Sequence, residues 1–120
     1  MSPKEARVFV AEDHSGWQDL INDVLKIEGH RVVLAARDRA HALAAVGRLE
    51  RLKINVALID DNLNSYGGSG NYGQAILSAI RSQAPSVKTV VISGQSVAGA
   101  DVNVSKKDIV RKLGKVVTKL

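Results

Sequence analysis

Apolar residues recur along this chain in two rhythms. Short unbroken runs end on polar residues, and between them longer stretches repeat their apolar positions every three or four residues. The runs are Arg7-Val8-Phe9-Val10-Ala11, Arg31-Val32-Val33-Leu34-Ala35, Val56-Ala57-Leu58-Ile59 and Lys88-Thr89-Val90-Val91-Ile92, with a short fifth at Val102-Asn103-Val104. Continuous apolarity rich in β-branched residues suits strands covered on both faces of a parallel sheet. The stretches between them read as amphipathic helices. Trp17, Leu20, Ile21, Val24 and Leu25 mark the first, with Gly29 as its terminator. Asp38 caps a second, whose inner face is Ala42, Leu43, Val46 and Leu49. Ala75, Ile76, Ala79 and Ile80 mark a third, closed by Pro85. Ile109, Val110, Leu113, Val116, Val117 and Leu120 give one face of a last helix.

This alternation predicts an α/β fold, a doubly wound five-stranded parallel sheet with helices on both faces. No repeat or linker interrupts it, so a single domain over residues 1–120 is expected. At 45% hydrophobic content the chain can build a proper core, and with 3% aromatics that core is mostly Val, Leu, Ile and Ala. The lack of cysteine removes disulfides, thiolate catalysis and zinc–sulfur sites. Neither a signal peptide nor a membrane span is read, because no apolar run approaches the required length. The net charge of +5 favours an acidic partner surface, or weak attraction to nucleic acid. The basic residues are spread along the chain and almost no aromatics interleave with them, so nucleic acid is not an expected partner.

The strand ends carry the candidate chemistry. In an open α/β sheet, sites form at the carboxyl ends of strands. The first strand ends at Glu12-Asp13, the third at Asp60, the fourth at Ser93 and the fifth at Lys106. Three converging carboxylates repel one another unless a cation sits among them. A hard divalent ion such as Mg²⁺ accepts few carboxylates, a carbonyl and waters. One lysine and one hydroxyl then suit the oxygens of a phosphoryl group. The set reads as a phosphoryl-transfer pocket with Asp60 as nucleophile.

The same residues resemble the receiver domain of two-component response regulators. The matching pieces are Glu12-Asp13 after strand one, Ala42-Leu43 in helix two and Asp60-Asp61-Asn62-Leu63 after four apolar residues. They continue with Gly73 and Arg81, Val91-Ile92-Ser93-Gly94, Gly99-Ala100-Asp101 and Lys106. The resemblance covers nearly the whole chain, and the order of the pieces at successive strand ends is its strength. It implies the flavodoxin-like receiver topology and a cytoplasmic phosphoprotein. It also implies phosphotransfer to Asp60 from a histidine kinase or phosphotransfer protein, and a separate downstream protein partner. It further implies Mg²⁺ bound directly by Asp13, through water by Glu12, and by Asp60 and the Asn62 carbonyl. Ser93 would hydrogen-bond the phosphoryl group and Lys106 would pair with it. Asn62 and Gln95 stand where such domains tune the lifetime of the phosphoaspartate. Such a protein is an acceptor rather than an enzyme, though it can promote its own phosphorylation and dephosphorylation.

Several positions depart from that pattern. Asn64 replaces a proline after the acceptor, and the glycine-rich loop from Asn64 to Gly73 is about five residues longer than usual. Only twelve residues separate Ser93 from Lys106, so the fourth helix is expected to be short or absent. Asn103 stands in place of the switch aromatic, and Lys107 in place of the proline that follows the lysine. These departures support an alternative function, a phosphorylation-independent receiver-like interaction or scaffold module. A small phosphate-ester hydrolase is a third reading, but no general acid stands evident beside Asp60.

Other features have plainer explanations. The glycine-rich loop lacks P-loop spacing, so a flexible insertion is expected, or a partner-binding loop through Tyr66 and Tyr72. His14, His30 and His41 lack metal-ligand spacing, and His14 reads as a surface residue near the acidic pair. Trp17 is expected to be partly core and close to Asp13. Arg111, Lys115 and Lys119, with Lys112, form a solvated face of the last helix or a docking face for an acidic protein.

Overall fold

The computed structural model describes residues 5–60, 72–92 and 99–120, with Tyr72 through its backbone alone. Five strands form one sheet: β1 (Arg7–Ala11), β2 (Arg31–Ala36), β3 (Val56–Asp60), β4 (Lys88–Ile92) and β5 (Val102–Val104). All pairings are parallel and the spatial order is β2-β1-β3-β4-β5. The chain leaves β1 toward one edge and returns past it to β3. The switch in direction therefore lies between β1 and β3, where an open sheet forms its crevice. The predicted fold class holds.

Side-chain alternation along the strands builds two cores. Val8, Val10, Val56, Leu58, Val90 and Ile92 face one layer, with Ile21, Leu25, Ile109, Leu113 and Val117. Phe9, Ala11, Ala57, Ile59 and Val91 face the other, with Ala42, Val46, Ile76 and Ile80. Helix α1 (Ser15–Ile27) and the last helical segment thus cover one face. Helices α2 (Arg39–Val46) and α3 (Tyr72–Gln83) cover the other. Asp38 caps α2 as expected, its carboxylate accepting from the His41 N–H at 2.7 Å. Gly29 takes φ +83° after α1, a conformation that disfavours any side chain.

Four details differ from the sequence reading. β2 runs one residue further, to Ala36, and a bulge between Val8 and Phe9 shifts its register on β1. Leu49 is buried but follows the end of α2, in the turns that lead to β3. Tyr72 and Gly73 open α3 instead of belonging to the loop; the rest of that loop lies outside the described residues. The last helix is three pieces, a tight 3-10 turn (Lys106–Asp108), a wide π-type turn (Ile109–Leu113) and α4 (Gly114–Thr118). The changes of pitch reset the phase of the apolar stripe. Ile109, Leu113 and Val117 point inward, while Val110, expected inside, is 65% exposed.

Residues 93–98 lie outside the described residues, and among those described no helix stands between β4 and β5. The remainder of this connection is firmly tied. Asp101 accepts from the Thr89 backbone at 2.8 Å and from its hydroxyl at 3.1 Å, and the Asp101 N–H donates back to that hydroxyl at 3.0 Å. Arg81 on α3 donates to the Gly99 carbonyl at 2.9 Å.

His30 ties the opposite end of the sheet. Its Nδ1 accepts from the Ala6 N–H at 3.0 Å, which leaves Nε2 to carry the proton and donate to Thr118 Oγ1 at 2.8 Å. Thr118 passes a hydrogen bond to the Gly114 carbonyl at 2.9 Å. Because His30 is buried, His30→Ala leaves the Ala6 N–H without its acceptor. Urea unfolding should register a loss of about 1–3 kcal/mol. An unchanged midpoint would mean that the relay contributes nothing.

Candidate functional site

The register of β1 on β3 assembles the site. Ala11 pairs with Ile59, so Glu12, one step on, comes level with Asp60. Both residues share the parity of Val8 and Val10, and of Val56 and Leu58, which face the α1 side of the sheet. Glu12 and Asp60 therefore end up side by side on one face, each 2% exposed. Asp13 follows in the exposed turn before α1. One carboxylate oxygen from each of Glu12, Asp13 and Asp60 lies within 4.8 Å of the others.

Backbone contacts hold the β1 end of this cluster. The Glu12 N–H donates to the Ala36 carbonyl at 3.0 Å, extending the β1–β2 pairing. Gln18, from the first turns of α1, donates to the Glu12 carbonyl at 2.7 Å. Nothing in the amino-acid pattern marks this role for Gln18, whose spacing shows only a polar helical position. Lys106 enters from the tight turn after β5. Its Nζ stands 3.6 Å from Asp60 Oδ2 and 5.2 Å from the centre of the Trp17 ring. Trp17 is half-buried and packs against the α1-side core, as expected, while His14 is exposed.

The electrostatics follow from this geometry. Burial, foremost, pushes the Glu12 carboxyl up to about 9. A hydrogen bond with Asp60, then the charges of Asp60 and Asp13, act in the same direction, and Lys106 opposes them. At neutral pH without a cation, Glu12 is thus protonated beside Asp60. Glu12 Oε1 is buried and has no hydrogen-bond partner among the described residues. Two buried carboxyl groups, one exposed carboxylate and an oxygen lacking a donor make an all-oxygen set that fits a hard divalent cation.

The structure brings Glu12, Asp13, Asp60 and Lys106 together. Ser93, Asn62 and Gln95 lie outside the described residues. Ser93 directly follows Ile92, which pairs with Asp60 across β3 and β4. Asn103, at the centre of β5, is exposed. Arg111, Lys112, Lys115 and Lys119 are all exposed, and Lys112 pairs with Asp108 at 3.8 Å. Among the described residues no helix is long and apolar enough to cross a membrane.

No protein-family model matches this chain, and no curated protein matches it. Solved structures do. The signal receiver domain of the response regulator NarL from Mycobacterium tuberculosis superposes with a TM-score of 0.68 at 23% identity, over 98% of each chain. A response regulator from Thermotoga maritima gives 0.73 at 21% identity, over 97% of each chain. The non-phosphorylated receiver domain of the stress response regulator RcsB from Escherichia coli also gives 0.73 at 21% identity, over 95% of this chain and 91% of that one. Another RcsB structure holds two dimers on two parallel DNAs, and this chain spans 63% of that RcsB chain. Parallel strands in the order β2-β1-β3-β4-β5, with an acidic cluster at the β1 and β3 ends, superpose on receivers over nearly their full length: this chain has the fold of response-regulator receiver domains.

Proposed function

We propose that this chain is a phosphoacceptor of two-component signalling, modified on Asp60 in the presence of Mg²⁺. The carrying observation is the convergence of Glu12, Asp13 and Asp60 at the topological switch point, with the Lys106 ammonium 3.6 Å from Asp60. Asp13 and Asp60 would hold the cation directly and Glu12 through water, with the Asn62 carbonyl as the further ligand that the receiver resemblance implies. When bound, Mg²⁺ neutralises the cluster and draws charge from the phosphoryl oxygens.

An Asp60 carboxylate oxygen attacks the phosphorus of a phosphohistidine on a kinase or phosphotransfer protein. The P–O bond forms as the P–N bond breaks, and the leaving imidazole takes up a proton. Lys106 would pair with the transferred oxygens, and Ser93, the residue after Ile92, is the hydroxyl that the receiver resemblance assigns to them. The output goes to a separate protein, in the cytoplasm. Incubation with Mg²⁺ and phosphoramidate should add one phosphoryl group to the intact mass, and EDTA should prevent it. A chain that stays unmodified with donor and Mg²⁺ in excess refutes the proposal.

The scaffold reading has one observation in its favour. Asn103 is exposed at the centre of β5 and offers no aromatic ring to couple the pocket to the β5 edge. A partner that binds wild type and Asp60→Asn equally well would support it.

A further inference from the structure

Lys106 faces a difficulty that the pocket alone does not solve. Its ammonium sits on four flexible methylenes and is 31% exposed, so water and many rotamers compete for it. Its backbone opens a three-residue turn whose middle residue is the exposed Lys107. The 3.6 Å separation from Asp60 Oδ2 is too long for a hydrogen bond of good geometry. The Trp17 ring also lies beside the ammonium, 5.2 Å from Nζ to its centre.

Resting on the reading of Asp60 as acceptor, we propose that Trp17 is a positioning residue for Lys106, holding the ammonium beside Asp60 for the incoming phosphoryl group. An aromatic face attracts a cation through its quadrupole. Unlike a carboxylate, it does so without cancelling the charge, so the full charge remains for the phosphoryl oxygens. Those oxygens would be attached to the Asp60 carboxylate, whose Oδ2 is already 3.6 Å from Nζ, so an ammonium kept over the ring stays within reach of them. Trp17 restricts Lys106 before the donor arrives, and less freedom remains to be lost on binding. Trp17 is anchored for this task. It is half-buried against the α1-side core, on the same helix that follows Asp13.

Two measurements test the assignment. Trp17 is the sole tryptophan, so fluorescence reports on it alone. In metal-free protein, Lys106→Met should change the Trp17 emission intensity and open the ring to acrylamide quenching; identical spectra and quenching would overturn the contact. This arm leaves Trp17 in place, and it stands even if Asp60 proves not to be an acceptor. The second arm is calorimetric titration with beryllofluoride and Mg²⁺. Trp17→Leu should weaken binding about two- to tenfold. Trp17→Phe, which keeps an aromatic face, should restore most of it, and Trp17→Leu should cost nothing further in a Lys106→Met background. An equal loss in both backgrounds would mean that Trp17 only fills space, and overturns the proposal. If wild type fails to bind beryllofluoride while the fluorescence signature holds, the reading of Asp60 fails, not the Trp17–Lys106 contact.

Discussion

Asp60→Asn should carry no phosphoryl group under conditions that modify wild type to completion. The amide nitrogen and oxygen of asparagine cannot form the acyl phosphate, so the expected loss is total, not graded. Intact mass measurement decides it: an adduct that persists in Asp60→Asn places the acceptor elsewhere, with Asp61 adjacent in sequence and Asp13 adjacent in space as the first alternatives. The same substitution should alter its neighbour. The Asp60 charge and its hydrogen bond both raise the Glu12 carboxyl. With the charge gone, Glu12 should titrate below its wild-type value of about 9, still held up by burial. Carbon-detected NMR of the glutamate carboxyls would show this as a downward shift of one titration curve.

The raised Glu12 carboxyl makes stability depend on pH in an unusual direction. Its folded value, about 9, exceeds the unfolded value of 4.5. Between these limits the folded chain holds a proton that the unfolded chain has released, so the stabilising effect is complete below the lower value. It is lost as pH rises toward the upper one, at no more than about 1.4 kcal/mol per pH unit. Urea unfolding in EDTA should therefore give lower midpoints at about pH 8 than at about pH 6. Glu12→Gln, which cannot release the proton, should flatten the trend. Mg²⁺ competes with that proton, so its affinity should rise by up to about tenfold per pH unit across the same range. A metal-free protein that grows more stable between these pH values, or a Glu12→Gln variant with the wild-type slope, would show that Glu12 is already ionised.

Much of this was legible in the sequence because burial and periodicity are local signals. Four apolar residues before Asp60 announced a strand covered on both faces, and its position at the strand's end followed from the parallel topology. Glu12 and Lys106 stand at strand ends in the same way. What escaped was whatever depends on pitch or on contact between distant elements. Val110 sits at the edge of an ideal helical stripe, and only the tight and wide turns before α4 decide that it faces water. Gln18 and His30 look like ordinary polar residues of a helix and a turn. Their partners, the Glu12 carbonyl and the Ala6–Thr118 relay, come into reach only when β1, α1 and α4 are packed. The sequence puts Trp17 near Asp13, but its ring beneath Lys106 depends on where the turn after β5 lands.

The strand order has a kinetic consequence. Glu12, Asp60 and Lys106 are each separated from the next by more than a third of the chain, and parallel neighbours cannot pair until the intervening crossover has closed. No local fragment holds the cluster, so Glu12, Asp60 and Lys106 meet only when β1, β3, β4 and β5 have paired. Mg²⁺ added during refolding should accordingly leave the early phases untouched and slow unfolding once the native state is reached, because it binds the finished fold alone.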